Sequence, residues 1–321
     1  MRKACNFTPH YLKGFTFGKG ATRKLCTEVW SILRRNSPDI VIVPEFQLLT
    51  IQVLLFKILF RKKFKVISMC DDSYDMVTND NDFTIIHKYA RRFIVPLVDD
   101  LLLVDSRVRD WYQSHYGKGI WLPIIRDEQK ERKLYQQSMP ISEKYIKQFE
   151  LEGSKILLYV GRLSPEKNLD NLIRALDYTE EDFTTVLVGS GEQEDYLRQL
   201  ATQCRKKIIF AGHYVDNAVR AWYNIADAFI LPSKQEAYGA VTNEALIAGN
   251  HAIVSEHAGS ACLIKEGNGT VIQPDNIQVM ANAIDTAIKE SKHQASRREK
   301  KCNMPFSFND VIENVIRQLN Q

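Results

Sequence analysis

Short apolar runs rich in β-branched residues alternate along the whole chain with stretches whose apolar positions return every three to four residues. That alternation predicts βαβ units built on parallel sheets, and so an α/β fold. In the first half the pattern predicts strands at 39–43, 64–69 and 100–104, and helices near 48–60, 83–93 and 107–115. In the second half it predicts strands at 155–160, 183–188, 207–210, 227–231, 251–254 and 269–272, with helices in the gaps. Several of these strands run straight into Gly161, Gly189, Gly212 or Pro232. In open parallel sheets ligands bind beyond the carboxyl ends of the strands, so functional residues are expected in these loops.

Between the halves, the segment 127–148 carries helix formers and little apolar content, which reads as a solvated linker helix or hinge. The expected division is therefore a first domain over 1–126, a linker over 127–150 and a second domain over 151–304. The last segment, 305–321, places Phe306, Phe308, Val311, Ile312, Val315, Ile316 and Leu319 on one helical face. The run 48–60 is apolar nearly all round, but Gln52 and Lys57 interrupt it and it is too short to span a bilayer, so a buried helix is expected. Arg61, Lys62, Lys63 and Lys65 follow it, interleaved with Phe60 and Phe64. They read either as a peripheral contact with an anionic membrane or as an ordinary solvated basic end.

Composition changes this picture little. A length of 321 residues favours two domains with separate cores, and 45% apolar with 26% charged residues is ordinary for a globular protein. A net charge of +4 is too small to point to nucleic acid as a partner. The six cysteines show no zinc-ligand spacing, and the N-terminus lacks the apolar core of a secretory signal, so reduced thiols and a cytoplasmic location are expected.

Two clusters could carry chemistry. In Gly161-Arg162-Leu163-Ser164-Pro165-Glu166-Lys167-Asn168, Ser164 suits an N-cap and Pro165 the first helical position. Lys167 would then fall in the first turn, where a cation opposes the macrodipole unless an anion such as phosphate lies between. A solvated lysine on an exposed turn is the plainer reading. The second cluster runs from Pro232 through Glu236, Gly239, Ala240 and Val241 to Glu244, with a helix predicted from Ala240 to Ala248 and closed by Gly249. Gly239 permits close backbone approach, and Glu244, about one turn inside the helix, could accept two hydroxyls such as those of a ribose. Taken singly, either glutamate is an ordinary surface charge.

Together the clusters are more specific. The G-R-L-x-x-x-K-N form at Gly161 to Asn168, the V-G-x-G turn at Val188 to Gly191, the pair Glu236 and Glu244 and the dipeptide Ala258-Gly259 resemble glycosyltransferase family 4. That resemblance implies a retaining enzyme of GT-B architecture, with two Rossmann-like domains facing a cleft. A nucleotide diphosphate sugar would be the donor, and a glycan or lipid-linked hydroxyl in bacterial surface polysaccharide or lipopolysaccharide synthesis the acceptor. It further implies that Arg162 and Lys167 neutralise the diphosphate, that Glu236 contacts the transferred sugar and that Glu244 holds the ribose. The backbone at Gly239, Ala240 and Val241 would touch phosphate or sugar, and Gly212, His213 and Tyr214 would meet the base. The lone G-x-G of Gly189 and Gly191 reads as a tight turn as readily as a phosphate loop. With no Asp-x-Asp motif in the second half, neither a metal nor a cofactor is expected.

The chain departs from the family at Ala237-Tyr238, at Asn250-His251 and at Ala261-Cys262. It also lacks the opening strand and glycine-rich loop of the family, which predicts a first domain reduced or missing its start. The family's cleft histidine is absent too. In its region stand Cys70, Asp71, Asp72, Ser73, Tyr74 and Asp75, where Asp71 or Asp72 could orient the acceptor or merely cap a strand end. His87, in a predicted helix, is the lesser candidate. In the family the final helix packs back on the first domain. An epimerase or phosphorylase on the same fold, or a non-catalytic nucleotide-sugar-binding subunit, remains the alternative.

Overall fold

The computed structural model describes residues 9–16, 24–79, 85–291 and 300–321. These fall into two compact units: the second takes in the described residues of 73–75, 104–107 and 122–321, and the first takes the rest.

In the first unit, β1 (Gly14–Thr16) pairs antiparallel with β2 (Lys24–Cys26), and α1 (Val29–Asn36) follows. A parallel sheet is then laid down in chain order by β3 (Ile40–Pro44), β4 (Lys65–Cys70), β5 (Asp100–Leu103) and β6 (Ile120–Trp121). The connections carry α2 (Leu48–Leu59), α3 (Tyr74–Thr78), α4 (Ile85–Ile94) and α5 (Ser106–Tyr116). Residues 83 and 84, at the start of the helix expected at 83–93, lie outside the described residues. On β4, Val66, Ile67, Ser68 and Cys70 are buried and Met69 is exposed. The helix expected to be buried all round is not: α2 buries Thr50, Val53, Leu54 and Phe56 but exposes Ile51, Leu55, Ile58 and Leu59. Twelve residues turn through every direction, and only one side of α2 meets the core. β1, β2, β6, α1 and the short helix α3 were not expected; the three strands, of two or three residues, are too short to show a period.

The second unit begins with α6 (Glu128–Gln137) and α7 (Met139–Gln148). The solvated segment expected here is instead packed, with Tyr135, Ser138, Ser142, Tyr145 and Ile146 buried. Ser142 Oγ donates to the Ala221 carbonyl at 3.0 Å, and the Tyr145 ring stacks on Trp222 with centroids 4.6 Å apart, both on α10 (Asn217–Ile225). Low apolar content misled because the buried positions are few but lie on one face.

A parallel sheet follows, built from β7 (Ile156–Val160), β8 (Thr184–Val188), β9 (Lys207–Gly212), β10 (Ala228–Leu231), β11 (His251–Ser255) and β12 (Gly269–Ile272). The spatial order is β12-β11-β10-β7-β8-β9. Every residue of β7, β8 and β10 is buried, as helices on both faces require. α8 (Leu169–Leu176), α9 (Glu194–Ala201), α10, α11 (Val241–Ile247) and α12 (Ile277–Glu290) connect or follow the strands. The chain builds outward from β7 to β9, then returns to lay β10 against the other side of β7. Between β7 and β10 the winding reverses, which is where an open α/β sheet forms its crevice. The last helix, α13 (Phe308–Leu319), is capped by Ser307 Oγ accepting from the Asp310 amide at 3.1 Å, and the Phe308 amide donates to Glu128 of α6 at 3.1 Å. Its buried face is narrower than expected, with Val311 and Val315 inside and Ile316 exposed.

Candidate active site

The two clusters singled out in the sequence leave β7 and β10, the strands that flank the reversal. After β7 the backbone runs through Gly161 to a 3-10 turn, Pro165–Lys167, and α8 starts only beyond Asn168. This corrects the helix expected from Ser164 and Pro165. Ser164 does not cap: its Oγ hydrogen-bonds Glu166 Oε1 at 2.7 Å. Asn168 sits in the left-handed region at φ 60°, which ends the turn before an α-helix can continue from it. Wholly buried, Asn168 donates through Nδ2 to the carbonyls of Pro232 (3.1 Å) and Pro274 (2.8 Å). The Lys234 amide donates to the Glu166 carbonyl at 2.9 Å, so the two loops are stitched together.

That stitching delivers Lys167 to Glu236: the ammonium pairs directly with the carboxylate, and both side chains are largely buried. Arg162, by contrast, is 77% exposed and reaches Glu166 at 3.5 Å. Gly189 and Gly191 serve close backbone approach. A Cβ on the first would overlap the Gly161 carbonyl and on the second the Leu163 carbonyl, while the Leu163 amide donates to the Ser190 carbonyl at 3.1 Å.

Beyond Glu236 the chain turns at Gly239, whose φ is +88° and whose missing Cβ would lie 2.6 Å from Leu231 Cδ2 and 3.2 Å from Glu236 Cγ. Ala240 precedes the first residue of α11, and Gly249 at φ +83° follows it, close to the limits expected. Glu244 stands one turn inside. Sequence reasoning missed its partner: Arg126 approaches Glu244 Oε1 at 2.7 Å and Glu131 Oε1 at 3.3 Å. Glu131 Oε2 in turn accepts from Arg220 at 3.0 Å and 3.1 Å. Burial opposes charge on Arg126, but Glu244 and Glu131 hold its pKa above the usual value. Asn243 Nδ2 donates to the Ile124 carbonyl and Tyr135 Oη to the Glu244 carbonyl at 2.9 Å, so the loop carrying Arg126 is fastened to α11. Nothing in the spacing of a lone arginine 35 residues before the nearer motif signalled this. At the end of β9, Gly212 has φ +87° and His213 is exposed, while the Tyr214 ring packs 5.3 Å from Tyr145 and 6.0 Å from Trp222.

The first unit holds a separate cluster. Glu45 follows β3, Asp72 follows β4 and His87 lies on α4; their ligand-type atoms are all within 4.8 Å of one another, close enough to share an ion. Glu45 Oε1 is 3.1 Å from His87 Nε2, and Tyr112 Oη donates to Asp72 Oδ2 at 2.9 Å. Burial first, and then the neighbouring Glu45, push Asp72 up to about 6. Burial works against Glu45 as well, but hydrogen bonds from His87 and Asp72 hold it below the ordinary range, and the bond to Glu45 raises His87. Of the two candidate aspartates, Asp72 is the buried one and Asp71 is exposed. Glu45 was overlooked, although its place directly after a parallel strand was the signal.

Comparison with known proteins bears on the fold and the family. An uncharacterized glycosyltransferase of Methanocaldococcus jannaschii is 35% identical over 144 residues, 43% of this chain and 37% of its own length. A glycogen synthase of Mycobacterium tuberculosis is 32% identical over 157 residues, 46% of this chain and 38% of its own. The chain thus matches well under half the length of these relatives. The solved structure of Anabaena HepE in complex with UDP superposes with a TM-score of 0.70 at 18% identity, covering 91% of this chain and 81% of that one. The fold is that of GT-B glycosyltransferases, two of which, HepE and the lipopolysaccharide enzyme WaaG, are structural neighbours. The family described as group 1 glycosyl transferases matches residues 141–304, just over half of the chain and the whole of both site loops, and the chain therefore belongs to that family.

Proposed function

We propose that the chain is a retaining glycosyltransferase of the family 4 type, taking a sugar from a nucleotide diphosphate donor held by its second unit. The observation that carries this reading is the Lys167–Glu236 pair at the winding reversal, one cation and one carboxylate delivered to the same point. In the proposed reaction the acceptor oxygen bonds to the anomeric carbon as the anomeric carbon–phosphate oxygen bond breaks on the same face. The acceptor proton passes to the departing diphosphate. Lys167, released from Glu236 by the incoming donor, and Arg162 would neutralise charge on the leaving group without a metal ion. Glu236 would then bind the transferred sugar and Glu244 the ribose. The backbone at Gly239, Ala240 and Val241 would meet phosphate or sugar, and Gly212 and His213 the base. Tyr214 would act there only through its backbone, since its ring is packed against Tyr145 and Trp222.

On the acceptor side we place Asp72, a buried carboxyl able to orient a hydroxyl of a glycan or lipid-linked acceptor in surface polysaccharide or lipopolysaccharide synthesis. The exposed apolar side of α2, followed by exposed Arg61, Lys62 and Lys63, supports peripheral contact with the inner face of a membrane. No helix among the described residues is long and apolar enough to cross one.

Calorimetric titration with UDP-sugars and GDP-sugars, and with free UDP and GDP, tests the donor reading. Glu244→Gln is expected to weaken free nucleotide and intact donor alike, by roughly ten- to hundredfold for the lost charged hydrogen bonds. Glu236→Gln is expected to weaken intact donor more than free nucleotide. Equal loss of free nucleotide in both variants would undo the division of roles, and binding that required a divalent ion would undo the metal-free assignment.

A further inference from the structure

We propose that Arg126 is the positioning residue of the ribose site, fixing Glu244 so that the site selects ribonucleotides over 2′-deoxyribonucleotides. The inference rests on the assignment of Glu244 to the ribose made above. A glutamate on a helix has freely rotating terminal torsions, and a carboxylate that must accept from two adjacent hydroxyls gains from being held in one orientation. Arg126 supplies that hold. It takes Glu244 Oε1 at 2.7 Å and leaves Oε2 as the oxygen not engaged by this pair. Arg126 is itself held. Its other terminal nitrogen lies 3.3 Å from Glu131, which is anchored from behind by two hydrogen bonds from Arg220. The carbonyl of Ile124, two residues earlier, accepts from Asn243, the neighbour of Glu244. Glu244–Arg126–Glu131–Arg220 is thus a row of alternating charge drawn from α11, the segment before α6, α6 itself and α10, in which each inner member is held from both sides.

The pair also bears on charge. Uncompensated, Glu244 would repel a diphosphate bound at the same loops; beside Arg126 its charge is offset, while its remaining lone pairs can still accept hydroxyl protons. The Arg126 side chain is 38% exposed and that of Glu244 17%, so both members of the pair retain some access from solvent.

The experiment is calorimetric titration of the full chain with UDP and GDP and with their 2′-deoxy counterparts. It compares wild type, Arg126→Lys, Arg126→Ala, Glu131→Gln, Glu244→Gln and the Arg126→Ala/Glu244→Gln double variant. Wild type is expected to prefer the ribonucleotide by about tenfold or more. Arg126→Ala should bring that ratio close to one, with Arg126→Lys between. Glu131→Gln, which frees Arg126 from its anchor but leaves Glu244 intact, should reduce the ratio part of the way. The double variant should be no worse than Glu244→Gln alone. A wild-type ratio retained in Arg126→Ala, or full additivity in the double variant, overturns the proposal while leaving the nucleotide reading standing. Wild type that binds none of the four ligands overturns both. Should Arg126→Ala fail to fold, the ratios of Arg126→Lys and Glu131→Gln decide: if both match wild type, the proposal fails.

Discussion

Asp72 is a residue whose chemistry departs from that of its free side chain in a testable way. Its carboxyl is pushed from the ordinary aspartate range up to about 6 in the folded chain, because burial and then Glu45 disfavour its charge. A proton bound more tightly in the folded state stabilises that state at low pH, and the gain is lost as pH rises through the folded value. His87, raised by its bond to Glu45, acts with the same sign: its contribution is present below 6.5 and lost as pH climbs past its raised value. Glu45, lowered, acts oppositely, but its contribution is lost only as pH falls below its own range. From about pH 4.5 to about pH 6 through Asp72, and then above 6.5 through His87, the wild-type chain is expected to lose stability in the first unit. Asp72→Asn, which keeps an acceptor for Tyr112 but cannot ionise, should flatten that slope. It should be more stable than wild type by about 1–2 kcal/mol at the alkaline end. Urea unfolding at several pH values measures this. An unchanged slope would mean that Asp72 does not titrate in this window.

At the scale of elements, the second sheet was the most legible part of the sequence, since β7, β8, β10 and β11 are buried apolar runs punctuated by glycine or proline. The residues of both site loops were legible by their place after such strands. Their geometry was not, because Asn168 in a left-handed conformation replaced the expected helix start with a 3-10 turn, and no local preference reveals two distant carbonyls holding its side chain. α6 and α7 were misjudged for a related reason: Tyr135, Ser138, Ser142 and Tyr145 recur at helical spacing, but serine does not announce burial. α2 failed in the other direction, with Ile51, Leu55, Ile58 and Leu59 exposed. That surface yields a prediction. Ile51, Leu55, Ile58, Leu59 and Phe60 are exposed just ahead of exposed Arg61, Lys62 and Lys63, so the chain should co-sediment with vesicles rich in phosphatidylglycerol and not with pure phosphatidylcholine. Leu55→Glu combined with Leu59→Glu should lower that partitioning by about tenfold or more. Equal sedimentation of wild type and variant would assign the basic run to solvation alone.

At the scale of the molecule, the two units have separate hydrophobic cores, one around β4 and β5 and one around β7, β8 and β10. Scanning calorimetry is expected to resolve two unfolding events. Nucleoside diphosphate at about a hundred times its dissociation constant should stabilise one of them by about 2.7 kcal/mol and leave the other in place. Two events that both shift, or that both stay, would contradict donor binding by the second unit alone. The interlocked turns at Gly161, Gly189 and Gly191 carry a last consequence, for how such a chain can diverge. The side-chain positions at Gly189 and Gly191 are filled by the backbone of the neighbouring loop, whereas Arg162 projects into solvent. A library of variants selected only for folding should therefore hold these two glycines fixed and let Arg162 drift to almost any residue. A second selection, for sugar transfer, should narrow Arg162 and leave the glycines as they were. The difference between the two maps would separate the residues that build the crevice from those that use it.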